Sequence, residues 1–369
     1  MPNLSGGPSC AVVCEYNPFH FGHRWQLSEL RKSFGTVICV LGGNLTQRGL
    51  PAVADRYLRA RAAVACGADL VLELPLPWCC ASAADFARGG VSVAERVGAE
   101  FLAFSAESEP EDLKQAAERL KRAEADESAE RPDAGRRVPY PKRMEDLSGI
   151  RLKDRPNDIL GLEYLRRLTT AEPFILPRNP AFESSTSIRL GPDPLERIPL
   201  PAAEVFRSDP GFPRSGNGAD AFLLASLRNE FPETVYAVPE ELRAALLRAL
   251  PDAESVEELA DAVKGKMFTV SRVRRALWAA VLRITPETAA GIPPYTLLLA
   301  ANETGRAYLN SRKTDIPVIA RPAALKDDPV FRLNLRANRV LRTVFGGTEP
   351  DDLKKRPFFT SSEIPREDP

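Results

Sequence analysis

The sequence predicts an α/β fold, a parallel sheet covered by helices on both faces, followed by a mainly helical region. Two patterns carry this. Between Ser9 and Phe104, four short, continuously apolar runs alternate with stretches of helical periodicity. Strands buried on both faces read as unbroken apolar runs, and their alternation with helices marks parallel strand–helix–strand units. From Ala219 onward the character changes to helices.

The elements follow in order. Ser9 to Cys14 is β-branched and apolar and reads as a buried strand, ended by a polar, proline-containing turn. From Gly22, the residues Trp25, Leu27, Leu30 and Phe34 recur at roughly helical spacing, and Gly35 stops that helix. Thr36 to Leu41 is the second strand, closed by Gly42, Gly43 and Asn44. A helix over Asp55 to Cys66 has Asp55 as N-cap and Gly67 beyond its end. Asp69 to Leu74 is the third strand, Ala83 to Val97 a helix, and Glu100 to Phe104 the fourth strand. Ligands of such sheets bind outside the carboxyl ends of the strands. The loops after Cys14, Leu41 and Phe104 all lie there.

Pro110 to Arg137 is charged and predicts one exposed helix, then a flexible stretch. Asn157 to Leu168 predicts a helix and Pro173 to Arg178 a short strand. The proline-rich segment Asp193 to Phe212 reads as a linker or loop. Helices are predicted over Ala219 to Asn229, Glu240 to Leu250, Ser255 to Lys264 and Val270 to Ile284, with a polar tail after Ala324. These readings divide the chain into a first domain over residues 1–190, with its charged insertion at 110–137, and a helical second domain over 191–369.

Composition narrows the function classes. Fifty Lys and Arg balance fifty Asp and Glu, so nucleic acid is not indicated by net charge, and any RNA contact has to come from a local patch. The six cysteines, Cys10, Cys14, Cys39, Cys66, Cys79 and Cys80, show no CxxC spacing. Reduced core thiols are expected, with neither a disulfide framework nor a structural metal site. No apolar run reaches the ~20 residues of a membrane span, and the N-terminus lacks a signal-peptide pattern. A soluble, cytoplasmic protein with no membrane association is expected.

The chain has two histidines, His20 and His23, flanking Phe21 and Gly22 at the join of the first strand and first helix. A helix N-terminus attracts phosphate through its free N–H groups and dipole. Imidazoles at i and i+3 lie on one side of the first turn and add directed donors. Gly22 lets a ligand approach the backbone closely. Donors held in that geometry stabilise charge on phosphoryl oxygens during attack on an α-phosphate.

HFGH matches the HxGH signature of the nucleotidylyltransferase superfamily. The wider string EYNPFHFGH (Glu15 to His23) resembles one branch, the bacterial tRNA(Met) cytidine acetate ligases. GGNLTQRGLPA (Gly42 to Ala52), GADLVLELP (Gly67 to Pro75) and ADFARGGV (Ala84 to Val91) resemble that branch. So do VPYPKRM (Val138 to Met144), RPNDILGLEYL (Arg155 to Leu165), SSTSIR (Ser184 to Arg189), FTVSRVRRAL (Phe268 to Leu277) and LAANETGRAYL (Leu299 to Leu309). The resemblance covers nearly the whole chain. It implies a Rossmann-like nucleotidyltransferase domain that activates acetate with ATP as acetyl-adenylate. The acetyl group then passes to N4 of the anticodon wobble cytidine of elongator tRNA(Met). Magnesium is expected with the ATP.

The resemblance implies site residues position by position. His20 and His23 are catalytic. Val13, Cys14, Glu15, Tyr16, Asn17, Pro18, Phe19, His20, Phe21, Gly22, His23, Arg24, Trp25 and Gln26 hold ATP, with Ser105, Asn157, Arg178, Ser187 and Arg189. Asn44, Gln47 and Arg48 line the second loop. The chain reads Phe104-Ser105-Ala106-Glu107 where the family commonly reads F-G-S-E, and it lacks a histidine that often precedes SATSIR. A basic run of Lys264, Lys266, Arg272, Arg274 and Arg275 is a candidate RNA-backbone patch, against the alternative of a solvated helix face. Structural alternatives stand beside several assignments. Asn17 suits a turn, Glu15 a carboxylate bonded to loop amides, Asn157 an N-cap, and Ser184 to Ser187 a capping box. Two other functions stay open: adenylation of a different small acceptor, and nucleotide or RNA binding without turnover.

Overall fold

The computed structural model describes residues 7–129, 140–214, 217–263, 268–345 and 351–360. The chain order opens with β1 (Ser9–Cys14), α1 (Phe21–Arg31), β2 (Thr36–Gly42), α2 (Arg56–Ala65), β3 (Leu70–Leu74), α3 (Ala83–Arg96) and β4 (Phe101–Ala106). It continues with α4 (Pro110–Ala129), α5 (Tyr140–Ser148), α6 (Pro156–Arg167), β5 (Glu172–Pro177), α7 (Ser185–Leu190) and α8 (Leu200–Arg207). Then come α9 (Asn217–Asn229), α10 (Glu240–Ala249), α11 (Val256–Val263), α12 (Val270–Val281) and α13 (Pro286–Ala289). The chain closes with β6 (Thr296–Ala301), α14 (Glu303–Ser311), β7 (Val318–Ile319), α15 (Pro329–Val344) and β8 (Phe358–Phe359).

The strands form one sheet in the order β5-β4-β1-β2-β3-β6-β7, with β8 also paired to β6. β1 runs parallel to β2 and β4, β2 to β3, and β4 to β5. Every residue of β2 and β3 is buried, as unbroken apolar runs require. The chain leaves β1 toward β2 and β3 on one side, then returns to β4 and β5 on the other. The strand order therefore reverses between β1 and β4, the crevice where ligands of open α/β sheets bind.

The second half does not stand apart as a helical domain. β6, TLLLAA, is wholly buried and pairs antiparallel with β3. It covers an edge that a sheet ending at β3 would leave open. This run carries the apolar continuity of a buried strand, but it lies after the helical stretch, away from the strand–helix alternation that predicts the other strands. The Asp193 to Phe212 segment, expected as linker, holds α8, whose Ala202, Ala203 and Phe206 are buried and which packs on α2. The polar tail likewise holds α15, whose Val330, Phe331, Leu333 and Leu341 form an apolar stripe. In both segments prolines sit at the helix start, where they are compatible with helix, rather than inside it.

All six cysteines are free and buried, as expected of core thiols. Burial pushes the Cys80 thiol up to about 12 and Cys79 well above its ordinary value, so neither is a thiolate carrier of acyl groups. No helix among the described residues is long and apolar enough to cross a membrane.

Candidate active site

The site grows from the turn between β1 and α1. His20 is the N-cap of α1, in an extended conformation, and its Nδ1 accepts the Gly22 N–H at 3.1 Å. His23 Nδ1 accepts the His20 N–H at 3.2 Å. The two rings lie 3.7 Å apart between centroids. A neutral imidazole that accepts at Nδ1 carries its proton on Nε2. Both rings are therefore fixed in the tautomer that keeps an Nε2–H donor for a ligand. Burial holds His20 down to about 4, with the nearby Glu183 opposing it. Burial, then the neighbouring His20, pushes His23 well below its ordinary value. At neutral pH the pair is uncharged and donates hydrogen bonds without acting as a cation.

The residues around the pair seat it. Tyr16 and Phe19 are buried, and their rings pack on His23 at 4.8 and 5.5 Å. Of the ATP positions implied by resemblance, Cys14, Tyr16 and Phe19 thus turn their side chains into the core, so only their backbones remain available to a ligand. Tyr16 also sits in the left-handed region, φ 47°, with its hydroxyl on Cys39 Sγ at 3.3 Å. Gly22 has a steric reason. A Cβ there would lie 2.9 Å from His20 Cε1 and 3.2 Å from Phe182 Cβ.

Across the β1–β4 crevice, Gln26 Nε2 donates to Ser105 Oγ at 3.4 Å. The serine that replaces the family's glycine is thus a partner of α1. Beyond it, the Glu107 carboxylate accepts from Asn157 Nδ2 at 2.8 Å, the Asp158 N–H at 3.0 Å and Arg178 Nη1 at 3.2 Å. Asp158 returns the bond, accepting the Glu107 and Ser108 N–H groups at 2.8 and 3.0 Å. Asn157 and Arg178 therefore meet on the Glu107 carboxylate at the start of α6.

A third wall is the Phe182 to Arg189 segment. Ser184 is the N-cap of α7 and accepts the Ser187 N–H at 3.2 Å, a one-way cap and not a reciprocal capping box. Ser187 Oγ donates to Glu183 at 2.6 Å, and Arg197 pairs with the same carboxylate. Arg189 Nη1 donates to the Asn17 carbonyl at 2.6 Å, tying this wall to the β1–α1 turn. Asn17 Oδ1 also accepts the Val53 N–H at 2.7 Å, a turn-fixing role.

The second loop is fixed from below. Glu15 Oε1 accepts the Gln47 N–H at 2.6 Å, and burial raises the Glu15 carboxyl against the opposing pull of that amide and of Arg59, Arg48 and Arg189. Arg48 is exposed at the loop tip. Asn44, expected to line the loop, instead faces inward. Its Nδ2 donates to Asp55 and Asn338, and its Oδ1 accepts the Arg56 N–H. Sequence reasoning missed Arg59, which is fully buried and donates to the carbonyls of Glu15, Gly42, Gly43 and Ala54. It joins the loops after β1 and β2. In RYLRARAAVA, three arginines at close spacing read as a solvated face, and nothing in the string marks one as buried.

The candidate RNA patch does not stand as a free basic face. Arg274 pairs with Asp220 at 3.2 Å and with Glu257. Arg275 donates to the Gln47 carbonyl at 2.9 Å, and Arg272 lies over the Phe268 ring at 5.0 Å. Lys264 and Lys266 lie outside the described residues. Helical periodicity cannot tell a basic face that meets acids and carbonyls from one that meets water.

This architecture, a histidine pair at the first strand-to-helix turn beside the switch point, defines a nucleotidyl-transfer fold. The chain matches the family described as HIGH Nucleotidyl Transferase over residues 8–189 and 215–355. It is 32% identical over 342 residues to the tRNA(Met) cytidine acetate ligase of Syntrophotalea carbinolica, covering 82% of this chain and 81% of that protein. It is 30% identical over 357 residues to the protein of the same name from Streptococcus sanguinis, covering 89% and 93%. The crystal structure of Thermotoga maritima TmcAL bound with alpha-thio ATP superposes with a TM-score of 0.85 at 26% identity, over 96% of this chain and all of that one. The chain belongs to the HIGH nucleotidyl transferase family, in its tRNA(Met) cytidine acetate ligase branch.

Proposed function

We propose that this protein is an ATP-dependent ligase that activates acetate as acetyl-adenylate and acetylates N4 of the anticodon wobble cytidine of elongator tRNA(Met). One observation carries the chemistry: both imidazoles have Nδ1 committed to backbone N–H groups, so each keeps its proton on Nε2 as a donor at the β1–α1 turn. ATP lies along that turn, with its phosphates reaching toward Asn157, Arg178 and Arg189. An acetate oxygen attacks the α-phosphorus, the bond to the bridging oxygen breaks, and pyrophosphate leaves with the electron pair. The histidine donors stabilise charge on the α-phosphoryl oxygens as it develops, and fixed positioning supplies the rest. The N4 amine of cytidine then attacks the acetyl carbonyl carbon, loses a proton, and AMP departs.

Among the described residues no group of three or more His, Cys, Asp or Glu side chains gathers to hold a metal. Magnesium is expected as the counter-ion of the ATP triphosphate, part of the substrate. The protein acts in the cytoplasm, where its tRNA is.

Radiolabelled acetate with ATP, with and without total tRNA, tests this reading. Label recovered as N4-acetylcytidine only when ATP and tRNA are both present is the expected result. Pyrophosphate exchange that needs no acetate would instead select another small acceptor. ATP binding without any pyrophosphate release would select a non-catalytic role.

A further inference from the structure

The loop that follows β2 is held by α12, from the second half of the chain. Arg275 Nη1 donates to the Gln47 carbonyl at 2.9 Å, and Trp278 Nε1 donates to the Gly49 carbonyl at 3.0 Å. Trp278 is fully buried. Gly49 lies at φ +76°, and a Cβ there would meet Arg274 Cβ at 2.7 Å and the Arg275 N at 2.9 Å. The loop backbone thus rests directly on the backbone of α12, an approach that only glycine allows. α12 is also anchored through Arg274 to Asp220 of α9 and Glu257 of α11.

The same loop residue reaches the ATP turn. The Gln47 N–H is bound by the Glu15 carboxylate at 2.6 Å, and Glu15 opens the EYNPFHFGH string. A continuous chain of polar contacts therefore runs from α9 and α11 through Arg274, along α12 to Arg275, to Gln47, and on to Glu15 beside the histidine turn. Arg48, between the two clamped carbonyls, is the exposed cation whose place this clamp sets.

We infer that Arg275 and Trp278 of α12 are positioning residues of the adenylation site, holding the second loop so that Glu15 and Arg48 keep the geometry that binds ATP. Neither touches substrate. They act through the Gln47 and Gly49 carbonyls. The inference rests on the adenylation reading, and the assay separates the two. If wild-type protein shows no acetate-dependent ATP–pyrophosphate exchange, the adenylation reading fails, whatever the variants do.

With exchange established, the variants Arg275→Met, Arg275→Lys and Trp278→Phe are compared for KM, kcat and thermal transition. Trp278→Phe keeps an aromatic ring, removes the Nε1–H donor and leaves a small cavity, so its thermal transition is read beside its KM, and it reports on the clamp even where Arg275→Met fails to fold. The expected result is a KM for ATP raised about tenfold in Arg275→Met, as for a loop displaced by a fraction of an ångström. A smaller rise in the same direction is expected in Trp278→Phe, with kcat changed less than KM in both. Arg275→Lys should recover most of the loss. A wild-type KM for ATP in folded Trp278→Phe and Arg275→Lys, together with a loss in Arg275→Met that follows only its unfolded fraction, would overturn the assignment.

Discussion

At the scale of single residues, the site is a pair of imidazoles whose protons are placed by the backbone. His20 and His23 each give up Nδ1 to a main-chain N–H, and what remains is a pair of Nε2–H donors. Replacing His20 with alanine should lower the turnover of acetate-dependent exchange by roughly 10²–10³, the cost of one lost donor at a developing charge. A variant with wild-type turnover would remove His20 from the mechanism. The same residue links stability to pH. Its folded value, about 4, lies below the ordinary 6.5, so between those pH values the unfolded chain binds more protons than the folded one. Ligand-free stability therefore falls as pH drops through that window and is indifferent to His20 above it. Urea midpoints at pH 7 and pH 4.5 should differ more for wild type than for His20→Asn, and equal differences would contradict the assigned environment.

At the scale of elements, the turns after β1 and β2 are bound together by buried groups more than by their own sequences. Arg59 is the clearest case. Arg59→Leu would leave four carbonyls without their donor and should cost about 3–5 kcal/mol in denaturant titration. A loss below ~1 kcal/mol would show that water replaces it freely. Gly49→Ala places a Cβ against α12 in a left-handed conformation and should cost about 1–3 kcal/mol. A change within ~0.5 kcal/mol in the same titration would show that the loop can move off the helix. The contrast explains what could be read from sequence. β1, α2 and α3 follow from local patterns: an apolar run, an Asp55 cap, a Gly67 stop. The histidine pair could be read because the chemistry sits in four consecutive residues. Arg59, Asn44 and Arg275 could not, because each has a partner far away in the chain, 44, 294 and 228 positions off respectively. A polar side chain's periodicity does not reveal whether it meets solvent or a carbonyl.

At the scale of the whole molecule, the sheet is completed by the second half of the chain. β6 pairs with β3, and Arg56, buried between β3 and the C-terminal segment, meets Glu73 at 2.7 Å and Asp352 at 3.3 Å. The division at residue 190 expected from composition follows the change from alternating to helical pattern, which is a local property. TLLLAA and Asp352 are buried against the first half. A fragment ending at residue 190 would bare the β3 edge and leave the Arg56–Glu73 pair short of an anion. It should not give a dispersed NMR spectrum as a monomer, and a well-dispersed one would contradict the account of one shared core.

The most direct test is exchange of labelled pyrophosphate into ATP, measured with and without acetate, in wild type and in the double variant His20→Ala, His23→Ala. The account predicts exchange that requires acetate in wild type and disappears in the variant while its fold persists. Exchange retained by the folded double variant would contradict the claim that these two side chains perform the transfer.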